Sequence, residues 1–252
     1  MTKCPAIALD AKHSVLFISD IHLHEQKPEL TSLFLKFLNE KALSAQALFI
    51  LGDLFDVWLG DDIATPFDHD IAATLRNLKQ NGTPIYFMPG NRDFLLSKSY
   101  CEIAGLTLLT DPYLLNFGDK KILLTHGDLL CTDDKIYQFY RIIAQHPITK
   151  YFFSKFSKSY RNHIAQKLRQ NSKRYQKQQP MAKLDATDMG VKKMIKKTVA
   201  QVLIHGHVHR ANHFKHVLGN RTVDRYVLGT WHKTGSYIEL HKDSVSIKCF
   251  EN

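Results

Sequence analysis

The hydrophobic pattern of the chain predicts short buried strands that alternate with amphipathic helices. Five continuous apolar runs lack the alternation of a half-solvated strand; they are residues 15–18, 47–51, 85–88, 122–125 and 202–204. Between the first three runs, apolar residues recur at helical spacing in residues 29–43 and 71–79. Helices between fully buried strands indicate a parallel or mixed sheet that is covered on both faces.

The pattern changes after residue 210. Residues 223–228, 236–240 and 244–250 are typical of antiparallel strands separated by glycine, lysine and aspartate turns. We expect these strands to form a second sheet. The predicted fold class is therefore α/β, with a central β-sandwich flanked by helices.

Residues of metal-ligand type follow each of the five apolar runs directly. They are Asp20 and His22, Asp53, Asn91, His126, and His207 and His209. Because ligands bind at the carboxyl ends of the strands in such sheets, we expect all seven to converge on one edge. Carboxylate, imidazole and amide oxygen together suit two divalent ions held a few Å apart. Such a pair serves in-line displacement at phosphorus.

The seven residues divide into a bridge and two ligand sets. Asp53 is expected to bridge the ions, with Asp20, His22 and His209 on the first ion and Asn91, His126 and His207 on the second. Residues two apart on an extended segment, such as Asp20 and His22, project to the same side. One histidine alone is more often a solvated or hydrogen-bonded side chain, so the prediction depends on the ordered set. The chain has no Gly-x-x-x-x-Gly-Lys or Gly-x-Gly-x-x-Gly motif, so a nucleoside triphosphate or dinucleotide site lacks support.

Charge is concentrated in one segment. The net charge is +10, and residues 135–184 contain 12 of the 34 Lys and Arg residues but no Asp or Glu; the remaining chain has 22 basic and 24 acidic residues. Apolar residues at 156, 160, 164 and 168 lie at helical spacing, and Pro147 and Pro180 mark predicted boundaries. We expect one domain, residues 1–252, in which a helical cap at about residues 135–190 is inserted near the active edge and faces an anionic partner.

Composition narrows the class of protein. Hydrophobic residues make up 44% and charged residues 23%, as in an ordinary globular protein. The four cysteines, at positions 4, 101, 131 and 249, form no Cys-x-x-Cys pair, which fits a reducing compartment such as the cytoplasm. There is no apolar leader at the N-terminus, and no apolar stretch approaches the roughly 20 residues of a membrane span. We therefore expect any membrane association to be peripheral.

The ordered motifs resemble the calcineurin-like metallophosphoesterase superfamily. They are Asp-x-His at 20–22, Gly-Asp-x-x-Asp at 52–56, Gly-Asn at 90–91, a single His at 126 and Gly-His-x-His at 206–209. The usual Gly-Asn-His is Gly-Asn-Arg here, with Arg92 in place of the histidine. An arginine cannot act as a general acid near neutral pH, but it can hold a phosphoryl oxygen bidentately.

Further matches are similar to one family, the UDP-2,3-diacylglucosamine diphosphatases of lipid A biosynthesis. The matching stretches are residues 50–55, 90–96, 126–134, 171–173, 203–207 and 228–232, so the resemblance covers nearly the whole chain. It implies a four-layer metallophosphoesterase fold with two Mn²⁺ ions. The implied reaction is water attack on the α-phosphorus of UDP-2,3-diacylglucosamine, which gives UMP and 2,3-diacylglucosamine 1-phosphate. The implied location is the cytoplasmic side of the inner membrane, as a peripheral protein.

The resemblance also implies roles for individual residues. Asp53, Asn91, Arg92 and His126 would be catalytic, and Asn91, Arg92, Asp134, Ser172 and His207 would contact the substrate. Gln176 and Gln179 occupy substrate positions where the family commonly has Asn and Lys. Gln176 can keep an amide hydrogen bond, whereas Gln179 loses a charge on the glucosamine side of the substrate.

The cap leaves more than one interpretation open. In one, its aromatic residues form an apolar chamber for acyl chains, and its Lys and Arg residues contact anionic headgroups. In the other, its apolar stripe simply packs on the sandwich. The aromatic residues are Tyr137, Tyr140, Phe152, Phe153 and Phe156. A phosphoesterase acting on nucleic acid would also need a basic, aromatic cap, and a scaffold protein could reuse the fold. The dense apolar stripe favours acyl chains, and the complete ligand set argues against a scaffold. We expect a monomer with no nucleic-acid partner.

Overall fold

The first sheet holds the strands that precede Asp20, Asp53 and Asn91. The computed structural model describes residues 7, 9–10, 12–242 and 244–251. The strands of the first sheet are β1 (Val15–Ile18), β2 (Ala47–Leu51), β3 (Ile85–Met88), β4 (Leu106–Leu108), β10 (Thr234–His241) and β11 (Ser244–Glu251). Their spatial order is β11-β10-β1-β2-β3-β4. Strands β1 to β4 are parallel, while β10 runs antiparallel to β1 and to β11. The side chains of Lys173, Gln176, Lys177, Met181 and Ala182 lie outside the described part of the structure.

The second sheet holds the strands that precede His126 and His207. Its strands are β5 (Tyr113–Phe117), β6 (Lys120–Thr125), β7 (Val202–His205), β8 (Asn212–Leu218) and β9 (Arg221–Val227), in the order β5-β6-β7-β9-β8. Strands β6, β7 and β9 are parallel, and the edge strands β5 and β8 pair antiparallel. The predicted runs at 122–125 and 202–204 are therefore confirmed as strands, but they lie in a different sheet from the first three runs.

Helices cover the outer face of the first sheet. They are α1 (Pro28–Glu40), α2 (Pro66–Gln80) and α3 (Lys98–Ala104). Helix α2 begins earlier than the predicted residue 71 because Thr65 and Asp68 form a capping box: the Thr65 hydroxyl accepts from Asp68 N and the Asp68 carboxylate accepts from Thr65 N. Helix α1 packs on the sheet through its buried aromatic and leucine side chains, and Phe37 lies 5.2 Å from the Trp231 ring.

The two sheets pack face to face over one apolar core. Phe17 and Phe49 of the first sheet are stacked 5.1 Å apart, and they share a cluster with Leu124 and Ile204 of the second sheet. On the outer face of the second sheet, Val191 belongs to a third cluster with residues of β6 and β7. The layers are therefore helix, sheet, sheet and helix, as the four-layer fold class predicts.

The predicted membership of the second sheet is wrong for two strands. Strands β10 and β11 extend the first sheet, and only β9 of the three late strands joins the second. Phe37 of α1 shows the physical reason, because Tyr237 of β10 and Phe250 of β11 pack 5.3 and 5.5 Å from it. Both strands thus complete the layer that α1 covers. The sequence pattern also missed α3, β4, β5 and β8.

Five helices lie between β6 and β7. They are α4 (Lys135–Gln145), α5 (Pro147–Lys155), α6 (Lys158–Gln178), α7 (Met181–Leu184) and α8 (Asp188–Lys196). Helices α4 and α5 bury none of their residues. Helix α6 is anchored by the buried Arg161, whose guanidinium donates to the Asp62 carboxylate and to Leu59 O. Within the described residues, no helix has the combination of length and apolarity that crossing a bilayer requires.

Candidate metal centre

The seven predicted ligands meet at one rim of the sandwich. Asp20 and His22 follow β1, Asp53 follows β2 and Asn91 follows β3, so the first sheet contributes four of them. The second sheet contributes the other three, which are His126, His207 and His209. Because β1, β2, β3, β6 and β7 all present their carboxyl ends at this rim, two sheets build one cluster.

The backbone at five of these residues has an uncommon conformation. The φ angles are 55° at Asp20, 56° at His22, 55° at Asp53, 70° at His207 and 60° at His209. Among the non-glycine residues that the structure describes, positive φ occurs at only one further position, Lys242. L-residues rarely adopt this left-handed region, although Asp and His tolerate it better than most, and such outliers concentrate at functional sites.

This conformation corrects the expectation that Asp20 and His22 lie on an extended segment. Each is a left-handed residue in the loop after β1, which is held against the loop after β2. Asp20 N donates to Gly52 O at 3.1 Å, and His22 N donates to Asp53 O at 3.0 Å. The loop after β1 is therefore positioned by the loop after β2, and the left-handed backbone at Asp20 and His22 directs their side chains instead of strand alternation.

Asp20, His22 and His209 form the first ligand group. The Nε2 atoms of His22 and His209 are 3.3 Å apart, and His209 Nε2 is 3.2 Å from Asp20 Oδ1. Two ligand atoms that each lie about 2.1 Å from a shared cation, at a tetrahedral angle, stand about 3.4 Å apart, close to these separations. Asp20 Oδ1 is also buried without a hydrogen-bond partner among the described residues. The group therefore fits one divalent cation.

Asn91 connects the second ligand group. Its Oδ1 lies 2.9 Å from His126 Nε2 and 2.9 Å from His207 Nδ1. His126 Nδ1 donates to Leu51 O at 2.8 Å, so in the neutral ring Nε2 presents a lone pair toward the Asn91 oxygen. Two facing lone pairs are stabilised by a cation between them, and this group also fits a divalent ion.

Asp53 lies between the two groups. Its Oδ1 is 3.8 Å from His126 Nε2 and its Oδ2 is 4.0 Å from His22 Nε2. This is the position that a bridging carboxylate requires. Asp20 also reaches toward the second group, because one ligand atom each from Asp20, Asp53 and His126 lie within 4.8 Å of one another.

Buried negative charge makes the cluster a cation site. Burial, reinforced by Asp93 and Asp20, raises the pKa of Asp53 to about 7 although His126 acts against it. Burial alone would lower the pKa of His126, but Asp53 and Asp20 raise it to about 9. The carboxylates thus attract a positive charge, which a proton on His126 or a bound divalent cation can supply.

Asp93, whose role the sequence analysis missed, ties the ligand-bearing loops together. This fully buried carboxylate accepts from Gly90 N at 2.7 Å, from Leu54 N at 2.8 Å and from Asp53 N at 3.3 Å. The Asp53 carboxylate in turn accepts from Arg92 N at 2.8 Å. The only sequence signal for this role is the position of Asp93 two residues after a predicted ligand.

Helices α4 and α6 also reach the centre through polar contacts. Asp128 accepts from Tyr137 Oη at 2.8 Å and from Arg141 Nε at 2.6 Å, and the Tyr137 ring is stacked on His207 with centroids 6.0 Å apart. Asp56, the second aspartate of the Gly-Asp-x-x-Asp motif, forms an ion pair with Arg169 of α6. The long helices are thereby fixed to the loops that carry the ligands.

The cluster opens into a cavity of about 360 Å³. Its lining residues are Asp53, Asn91, Arg92, Leu184, His207, Val208, His209 and Arg210. Three predicted substrate residues, Asn91, Arg92 and His207, are among them. Leu184, Val208 and Arg210 were not singled out by the sequence.

The remaining predicted substrate residues lie elsewhere on the helices. Asp134 caps α4 by accepting from Tyr137 N at 3.0 Å and also accepts from Tyr175 Oη at 3.0 Å. Ser172 is exposed on α6, and Gln179 Oε1 accepts from Lys183 Nζ at 2.8 Å. The side chain of Gln176 is outside the described residues. Their roles stay predictions.

Comparisons with known proteins agree with the geometry. The profile of the calcineurin-like phosphoesterase family matches residues 13–211. The UDP-2,3-diacylglucosamine hydrolase of Edwardsiella ictaluri is 42% identical over 93% of this chain and 91% of its own length. The hydrolases of the same name from Aromatoleum aromaticum and Pseudomonas fluorescens are 41% and 39% identical, over 89% and 94% of this chain and 92% and 95% of their own lengths. The chain therefore belongs to the calcineurin-like phosphoesterase family and, within it, to the family of the UDP-2,3-diacylglucosamine hydrolases.

Proposed function

We propose that this protein hydrolyses the pyrophosphate bond of UDP-2,3-diacylglucosamine by water attack at the α-phosphorus. The products would be UMP and 2,3-diacylglucosamine 1-phosphate. The observation that carries the proposal is the convergence of the seven ligand residues beside a cavity that Arg92 and four of them line. The relatives with this substrate in their names supply its identity.

A pair of divalent cations, when bound, would activate water and stabilise the charge that develops on phosphorus. Asp20, His22 and His209 would hold one ion and Asn91, His126 and His207 the other, with Asp53 shared. We propose Mn²⁺ for both positions, as the resemblance to the diphosphatase family implies; the carboxylate and amide oxygens among the ligands suit this ion.

Arg92 would bind and orient the substrate in this mechanism. Its guanidinium lines the cavity and has no hydrogen-bond or ion-pair partner within the described part of the chain, so its planar donors are free for a phosphoryl oxygen. Because the group stays protonated near neutral pH, it contributes charge and orientation rather than a proton.

The helices between β6 and β7 suit a substrate with acyl chains. We propose that the chain is one domain whose residues 135–190 form an inserted cap over the rim. Large apolar side chains of α4 and α5 are more than half exposed: Ile136 by 66%, Phe139 by 68%, Ile142 by 68% and Phe152 by 61%. Exposed apolar area of this kind is typical of surfaces that meet lipid or a partner.

The basic residues of the same segment support a location at a membrane surface. Lys and Arg near an anionic bilayer contribute roughly 1 kcal/mol each. We propose that the protein acts as a monomer on the cytoplasmic face of the inner membrane, as a peripheral protein. Salt-dependent DNA binding by the cap would argue instead for a nucleic-acid substrate.

Hydrolysis of UDP-2,3-diacylglucosamine by the purified protein tests the proposal. UMP release would be followed with Mn²⁺, with chelator, and with chelator followed by added Mn²⁺. We expect release only when Mn²⁺ is present and full recovery on its return. Absence of UMP release, together with Mn²⁺-dependent cleavage of bis(p-nitrophenyl) phosphate, would retain the two-metal chemistry but reject the substrate.

A further inference from the structure

Arg210 lies in the catalytic cavity and has no role in the reaction described so far. It lines the cavity together with Arg92 and four of the predicted ligands. Arg92 directly follows Asn91, a ligand of the second group, and Arg210 directly follows His209, a ligand of the first group. The cavity therefore carries two guanidinium groups, each adjacent in sequence to a ligand of a different ion.

The two arginines come from opposite sides of the sandwich. Arg92 follows β3 in the first sheet, whereas Arg210 follows β7 in the second. A diphosphate substrate has two anionic phosphoryl groups, one on each side of the scissile bond. Because a guanidinium binds a phosphoryl group through parallel N–H donors, one arginine for each phosphoryl group matches the chemistry of this substrate.

The position of Arg92 decides which phosphoryl group each arginine meets. The loop that carries Arg92 touches α5, since Lys150 Nζ donates to Phe94 O at 2.6 Å. Helix α5 also carries exposed apolar side chains, such as Phe152, so the loop of Arg92 lies beside part of the exposed apolar surface. Because the proposed function puts the acyl chains along α4 and α5, Arg92 is assigned to the acyl-sugar side and Arg210 to the nucleotide side.

Asp185 holds Arg210 at the cavity. Its Oδ2 accepts from Arg210 Nη2 at 2.6 Å, while its Oδ1 accepts from Ala186 N at 2.7 Å. The Arg210 side chain remains 52% exposed. Because a guanidinium has five N–H donors, this single contact orients it and leaves donors for a ligand.

We propose that Arg210 binds the phosphoryl group on the nucleotide side of the scissile bond, opposite Arg92, and that Asp185 is its positioning residue. This inference rests on the proposed hydrolysis of UDP-2,3-diacylglucosamine. It assigns one guanidinium to each product: Arg210 to UMP and Arg92 to the sugar 1-phosphate.

Calorimetric titration of the Mn²⁺-loaded protein with UMP and with glucosamine 1-phosphate tests the assignment. We expect Arg210→Ala to weaken UMP binding roughly 10- to 100-fold, as the loss of a charge-assisted contact does, and to weaken glucosamine 1-phosphate far less. Arg92→Ala should show the opposite preference. Arg210→Lys should recover only part of the UMP affinity because it lacks the planar fork.

Matched variants separate substrate binding from a structural role. Arg76→Ala removes a guanidinium whose hydrogen bonds within the described residues go to Ile103 O and Glu102 O of α3, and it should leave both affinities unchanged. Asp185→Asn should weaken UMP less than Arg210→Ala, because a neutral amide oxygen still orients the guanidinium.

The outcomes distinguish this inference from the proposed function. If the wild-type protein releases UMP but Arg210→Ala leaves UMP binding unchanged, or weakens both ligands equally, Arg210 is structural and the inference is wrong. If the wild-type protein neither releases nor binds UMP, the proposed function fails and the inference fails with it.

Discussion

Replacing Asp93 by alanine should destabilise the rim that carries the ligands. The fully buried carboxylate accepts three backbone N–H groups, at 2.7 Å from Gly90, 2.8 Å from Leu54 and 3.3 Å from Asp53. A buried donor left without a partner costs about 1–3 kcal/mol. Three such donors could cost up to about 9 kcal/mol, but water entering the space left by the carboxylate would satisfy some of them. We expect the free energy of unfolding to fall by about 3–5 kcal/mol, a large share of the roughly 5–15 kcal/mol that is typical of a domain.

Urea unfolding of the metal-free protein measures this loss directly. Asp93→Asn should lower the free energy of unfolding less, by about 1–3 kcal/mol, because its amide oxygen can still accept from Gly90 N and Asp53 N. Its NH₂ group faces Leu54 N and cannot accept from it. Asp70→Ala, on the exposed face of α2, is the matched control and should change the free energy of unfolding by less than about 0.5 kcal/mol. If Asp93→Ala behaves like this control and still binds Mn²⁺ fully, the three hydrogen bonds do not hold the loops together.

Four further variants test other parts of the structure. Asp53→Ala should abolish UMP release and reduce bound Mn²⁺ measured by elemental analysis, because both ligand groups lose their shared carboxylate; near-normal turnover would reject the two-metal assignment. Arg92→Ala should lower turnover with Mn²⁺ content intact, and loss of metal would show that Arg92 shapes the site instead. Arg161→Ala should lower the free energy of unfolding by about 1–3 kcal/mol and make α6 easier to proteolyse, because the contact between Arg161 and Asp62 is lost. The loss stays in this range because the half-exposed Asp62 regains water. If Arg161→Ala and the wild-type protein resist proteolysis equally, the pair does not anchor α6. The hydrogen bond from Arg161 lowers the pKa of Asp62, so the wild-type protein should be more stable than Asp62→Asn by a constant amount from about pH 5 to 8. This difference should shrink as the pH falls through the lowered pKa.

Much of the strand content was predictable because continuous apolar runs have to be buried. The five runs that precede the ligands are all strands, and their ends coincide with the predicted positions within two residues. Strand β5 was missed because its residues alternate between buried and exposed positions over only five residues. Strand β8 was missed because most of its residues are exposed and it gains its conformation by pairing with β9.

Some of the candidate site could not be predicted for a similar reason. The left-handed conformation of Asp20 depends on the hydrogen bond to Gly52 O, and Trp231 N also donates to Asp20 O from a segment more than 200 residues away. The partner of Arg161 could not be predicted either, because Asp62 is 99 residues away in the sequence. Local propensity carries no information about such contacts.

The amino-acid sequence by itself determined which ligand types exist, their order, and their position directly after buried strands. Local hydrophobic patterning is enough for this, since burial and strand formation are decided over a few neighbouring residues. Tertiary structure alone decided how the five core strands divide between the two sheets, that β10 and β11 return to the first sheet, and that Asn91 Oδ1 lies beside both His126 and His207. Strand pairing and left-handed loop conformations depend on partners distant in sequence, and those partners are present only once the chain has folded.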